Sequence, residues 1–155
     1  MSQGSSSFRW CWVENLLIEV VNNQRPSTED WDFLLDDIEK NRLRMMGTLV
    51  FSNGGGPGSV QRAKLRAVLE KAEIPPAAIL IDSVLAWGVV SALRLFLNDR
   101  VRAFSHTEVE EALLFLKVSP PSWPEVKQAL EKLRLEVRNQ VPRPRGRRGT
   151  GGKPS

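Results

Sequence analysis

Residues 51–69 read FSNGGGPGSVQRAKLRAVL, an apolar strand end, a run of glycines, a serine and a helix carrying Arg62, Lys64 and Arg66. This is the stretch best placed to do chemistry. Glycines can take positive φ, and successive backbone N–H groups at a helix start can converge on an anion. Ser52, Asn53, Gly54, Gly55, Gly56, Gly58, Ser59 and Arg62 therefore form the candidate anion-binding or partner-binding loop. Nucleotide signatures are incomplete here. A P-loop needs a lysine and a Ser/Thr at the end of the glycine turn, where Pro57, Gly58, Ser59 and Val60 stand, and the dinucleotide fingerprint fails as well. Ser59 is a candidate phosphorylation site, because a phosphate there would sit at a helix N-terminus near Arg62. The plainest reading weighs most: the glycines make a turn and the Ser59 hydroxyl caps the helix. Within it, the exposed loop at the end of a strand is a surface for a partner.

Elsewhere no catalytic set emerges. His106 stands beside Ser105 at a helix start and reads as a solvent-exposed neighbour of the cap, and no carboxylate pair is marked out. Cys11 is the single cysteine and His106 the single histidine, so neither an internal disulfide nor a His/Cys metal cluster is expected. No metal or cofactor is implied, and the chain reads as a non-enzyme. Trp10 and Trp12 share one face of a strand with Cys11 on the other. The two indoles read as core in preference to an exposed patch for a partner or a dimer. Trp87, in a very apolar helix, is a residue that could line a cleft. A chain this short is not expected to enclose a cavity for a hydrophobic ligand.

The sequence has 155 residues, 41% hydrophobic and 26% charged, which fits one ordinary domain. No apolar run reaches the length of a membrane span, and MSQGSSSFRW lacks the basic and apolar regions of a signal peptide, so a cytoplasmic location is expected. The net charge of +4 is unevenly placed. Six basic residues and no acidic ones lie from Arg138 onward, leaving 16 basic against 18 acidic residues before it. The segment QVPRPRGRRGTGGKPS is rich in Pro, Gly and Arg and reads as a disordered basic tail over 139–155. Arg143, Arg145, Arg147 and Arg148 could meet the phosphates of nucleic acid or an acidic membrane surface. No aromatic residue interleaves them, so base stacking is not indicated.

After a polar, disordered leader over 1–7, FRWCWVE and LLIEVVN read as a hairpin with Asn15 in its turn. RPSTEDWDFLLDDIEK is a helix capped by Ser27 or Thr28, with Trp31, Leu34, Leu35 and Ile38 on one face. GTLVFS is a strand leading to the glycines, and the next helix carries Leu65, Val68, Leu69 and Ala72 on one face. AAILIDS reads as a central strand, SVLAWGVVSALRLFL as a buried helix starting at a Ser83 cap, and VRAFS as a fifth strand. Ser105 and Glu108 form a capping-box pair before a helix with Val109, Ala112, Leu113 and Leu116. Strands alternating with helices predict an α/β fold with a mostly parallel central sheet of about five strands and covering helices. Residues 119–138 add an amphipathic helix with a second capping box, Ser122 and Glu125. Its narrow seam of Val126, Leu130, Leu133 and Val137 must find a groove, on its own domain or on a partner helix.

Over 8–118 the order of elements, together with SNGGGPGSVQRAKL, IDSVLAWGVVSALRLF and VRAFSHTEVEEALLFLKV, resembles the STAS domain. The likeness is to the bacterial anti-sigma-factor antagonists (SpoIIAA-like) and STAS/Sec14-like proteins. That resemblance implies a regulatory or scaffolding module in signalling that binds a protein partner without catalysis. It also implies a phosphorylated Ser or Thr in the loop after the third strand, which matches Ser59 here. The family's Asp-Ser-Ser-Gly or Asp-Ser-Thr-Gly pattern is replaced by glycines, and Asp82–Ser83 follow the next strand along, so the phosphosite is not carried to Ser83. The alternatives are anion or nucleotide binding at the glycine loop, and tethering to a polyanion by the tail. Self-association is also open.

Overall fold

The computed structural model describes residues 2–71, 73–82, 91 and 100–139. The expected helix over 83–97 with its Ser83 cap, Trp87 and Ala72, and the arginines of the tail lie outside the described residues. The described chain forms six strands in one sheet: β1 (Gln3–Gly4), β2 (Phe8–Val13), β3 (Leu16–Val21), β4 (Gly47–Ser52), β5 (Ala77–Ile81) and β6 (Val101–Phe104). They lie side by side in chain order. The pairs β1/β2 and β2/β3 are antiparallel, and β3/β4, β4/β5 and β5/β6 are parallel. The sheet is thus mixed and six-stranded, which corrects the expectation of about five mostly parallel strands.

The extra strand comes from the leader. Residues 2–7, expected to be disordered, carry no apolar residue to announce a strand, yet Gln3 and Gly4 pair with Trp10 and Arg9. Gly4 has φ +106°, and a Cβ there would lie 2.1 Å from the Phe8 carbonyl oxygen, so a glycine is required. The β2/β3 hairpin closes through Glu14–Asn15, and it is Glu14, at φ +53°, that takes the left-handed position instead of Asn15.

Helices cover both faces. α1 (Thr28–Asn41) starts where the Ser27 hydroxyl accepts the Asp30 N–H at 3.1 Å, and buries Trp31, Leu34, Leu35 and Ile38. These pack with Phe8, Trp10, Leu17 and Val21, on the face that α2 (Ser59–Leu69) also meets through Leu69. Strand alternation sends Leu16, Ile18 and Val20 to the opposite face. There α3 (Val109–Phe115) and α4 (Trp123–Glu136) cover the sheet, α4 after a 3₁₀ turn over Pro120–Ser122. In the Ser105/Glu108 capping box only the Glu108 half is shown, its Oε1 accepting the Ser105 N–H at 2.8 Å, and α3 begins at Val109. Ser122 stands at the N-cap of α4 without a side-chain cap bond.

The seam of α4 is not a partner surface. Val126, Leu130, Leu133 and Val137 are all buried in the core with Cys11, Leu16 and Ile18, so of the two grooves the seam could meet it takes the one on the chain's own sheet, and its assignment as a partner-helix seam is corrected. The antiparallel hairpin leaves an apolar face that α3 alone is too short to cover, and α4 fills it. Trp10 is fully buried and Trp12 half-buried, and both indole N–H groups donate to Asp37 Oδ2, at 3.0 and 2.8 Å. No described helix is long and apolar enough to cross a membrane.

Candidate functional site

β4 ends at Ser52, and the glycine loop that follows is tied back onto the sheet. Ser52 Oγ donates to the Gly55 carbonyl at 2.6 Å and accepts the Gly54 N–H at 3.1 Å. The Asn53 and Gly55 N–H groups donate to the carbonyls of Val21 and Asn22, joining the loop to the end of β3. Gly54 sits at φ +112°, a conformation only glycine takes without strain. Gly55 is buried, and a Cβ on it would lie 2.1 Å from the Gln24 carbonyl oxygen and 2.5 Å from that of Asn22. Gly55→Ala is therefore expected to cost about 1–3 kcal/mol. Urea unfolding monitored by tryptophan fluorescence checks this, with exposed Val60→Ala expected to stay within roughly 0.5 kcal/mol of the parent.

The start of α2 differs from expectation. Gly58 holds the N-cap position and Ser59 is the first helical residue, so the Ser59 hydroxyl does not cap the helix. Gln61 does the fastening instead. Its Oε1 accepts the Gly58 N–H at 3.0 Å, its Nε2 donates to the Pro26 carbonyl at 2.7 Å, and its own carbonyl accepts the Trp31 indole N–H at 2.9 Å. A buried side chain with two donors and an acceptor can join the loop to the segment before α1, which a serine hydroxyl is too short to reach. Arg62 Nη1 donates to the Pro57 carbonyl at 2.8 Å. The amides of Asn53, Gly54, Gly55 and Gly58 are thus committed inside the chain, and what the loop presents outward on the first turn of α2 is Ser59 and Val60.

A second cluster gathers at the same C-terminal ends of the parallel strands. His106, expected at the surface, is half-buried, with its ring stacked on Phe51 at 4.1 Å between centroids. Nε2 lies 2.7 Å from the Ser52 carbonyl oxygen, and Nδ1 lies 3.4 Å from Asp82 Oδ2. Asp82 Oδ1 also accepts the His106 backbone N–H at 2.9 Å. The Arg134 guanidinium sits 4.2 Å from the Phe51 ring centroid. Both ring nitrogens face acceptors, and the Ser105 hydroxyl is paired with Thr107, so the imidazole serves as a clasp between β4, β5 and the turn after β6. The sequence reading missed this clasp, because its members lie 24 to 54 positions apart.

Beneath the loop lies a third feature. A cavity of about 80 Å³ runs between the sheet and helices α1 and α2, with Gly55, Gly56 and Pro57 at one end and Met45, Pro75 and Val101 among the residues lining it. Glu19 of β3 faces into it, 8% exposed, and desolvation pushes its carboxyl up to about 8. Cys11, on the other face, is buried, and burial also raises its thiol. Among the described residues no group of three His, Cys, Asp or Glu side chains converges to hold a metal ion. No protein-family model, curated protein or solved structure matches this chain.

Proposed function

We propose that the chain is a non-enzymatic regulatory or scaffolding module of STAS type, acting in bacterial signalling in the cytoplasm. It meets a protein partner, or a second copy of itself, at the rim built from the glycine loop and the first turn of α2. The observation that carries this reading is the internal closure of the loop. With Ser52 Oγ and the amides of Asn53, Gly54, Gly55 and Gly58 bonded inside the chain, fewer donors are left to cradle a phosphate, which supports the glycines as a fixed surface feature. The surface they present includes Val60, 68% exposed, beside the Lys64–Asp32 ion pair between α2 and α1. An exposed apolar side chain ringed by polar groups is the kind of anchor that protein contacts use. The order of successive βα units along the sheet also suits the expected STAS-like domain over 8–118. Ser59, exposed on that rim, remains the candidate for phosphorylation.

Val60→Asp tests this without disturbing the core. A partner cross-linked to the parent protein in cells is expected to be lost at least fivefold with the variant, while its thermal unfolding stays unchanged. Equal recovery of every cross-linked species by both proteins would overturn the reading. So would saturable calorimetric binding of a nucleotide that Gly56→Val abolishes.

A further inference from the structure

We propose that the space between the sheet and helices α1 and α2 is a binding site for a small aliphatic amine, its carbon chain along the apolar walls and its amino group on the Glu19 carboxyl. This inference stands apart from the partner reading above, since it concerns the interior and not the rim. Alternation along β3 puts Glu19 on the same face as Leu17 and Val21, between Trp10 of β2 and Val50 of β4 in register. An apolar residue would fill that position at no cost, whereas a buried carboxyl costs several kcal/mol unless it is partnered. No described residue provides a hydrogen bond or ion pair to Glu19, and among the described residues no other charged side chain lines the cavity.

The walls argue for carbon. The cavity is several times larger than the ~10–15 Å³ one water needs, yet a water requires two to four polar partners. Ser52, at the loop end, spends its hydroxyl on Gly55, and the rest of the lining is dominated by side chains such as Leu17, Trp31, Leu65 and Ile79. The space persists because α2 is thinly packed. Leu69 is its only fully buried apolar residue, and the strands opposite present short side chains at Val50 and Ala77. A slim alkyl chain fits this slot, and Glu19, the one charged side chain among the described lining residues, selects a donor head, with the Thr48 hydroxyl as a further polar group on the wall. When the ammonium form binds, the Glu19 carboxyl gives up its proton to solvent, and the resulting ammonium–carboxylate pair is a charge-assisted bond, about twice the strength of a neutral one.

The test is calorimetry and thermal unfolding of the full chain with butylamine, pentylamine and hexylamine, with the matching alcohols as controls. The parent is expected to bind one amine saturably and unfold at higher temperature in its presence, with a clear preference among chain lengths. Glu19→Gln, nearly the same shape, is expected to weaken that binding about tenfold or more. Val50→Phe, which fills the slot from the sheet side, is expected to abolish it. Absence of saturable binding, equal binding by Glu19→Gln, or alcohols binding as well as amines would overturn the proposal.

Discussion

Raising the pH from the acid range to about 8 is expected to weaken the folded state through Glu19, and Glu19→Gln is expected to remove that part of the pH sensitivity. The sign follows from which form each state prefers. Burial holds the Glu19 carboxyl protonated up to about pH 8 in the fold, whereas the ordinary value is 4.5. Below 4.5 both states carry the proton and the group has no effect on the balance. Between 4.5 and about 8 the unfolded chain has released the proton and the folded chain has kept it, so stability falls as pH rises. Each pH unit in that window is worth ~1.4 kcal/mol, and the whole window is on the order of 4–5 kcal/mol. Above it the loss is complete and flat. Urea unfolding of parent and Glu19→Gln across this range gives the result as a difference. The variant's advantage should grow steadily with pH, and a difference that stays constant would mean that Glu19 ionises freely in the fold.

Leu133→Ala is expected to cost about 2–5 kcal/mol, and Leu135→Ala, two positions along the same helix, less than roughly 0.5 kcal/mol. Leu133 is 1% exposed, packed in the core with Val126 and Leu130 against β2 and β3, whereas Leu135 is 81% exposed. Removing the buried methyl groups loses their transfer energy and leaves a cavity that the sheet cannot collapse into. The comparison decides what α4 is for. A helix merely appended for a partner would tolerate both changes in the isolated protein. Denaturant midpoints of the two variants separate these cases, and equal midpoints would remove α4 from the core.

Much of the fold was legible because it is written locally. The spacing of Trp31, Leu34, Leu35 and Ile38 with a serine cap specifies α1 from residues three or four apart, and the structure buries all four. The apolar runs of β4 and β5 announced strands in the same way, β5 as a central one covered on both sides. The two-residue β1 had no such signal, since its pairing is made by backbone groups and needs only Gly4 to turn.

The candidate site was legible only in outline. The glycine loop was visible as a special turn, but the residue fastening it was assigned to Ser59 and is Gln61, whose partners Pro26 and Trp31 stand 35 and 30 positions away. Glu19 carried no signal at all. In an alternating strand a glutamate reads as the solvent side, and it is interior here because α1 and α2 cover that face.

By itself, then, the sequence determined most of the described strands and helices, β1 apart, and which faces of them are apolar, because periodicity is a property of neighbours along the chain. Only the tertiary structure decided that α4 completes the core, that His106 clasps Ser52 and Asp82, and that a carboxyl is enclosed beside an apolar slot. Those outcomes depend on which distant elements meet across the sheet, and no short-range pattern encodes that meeting.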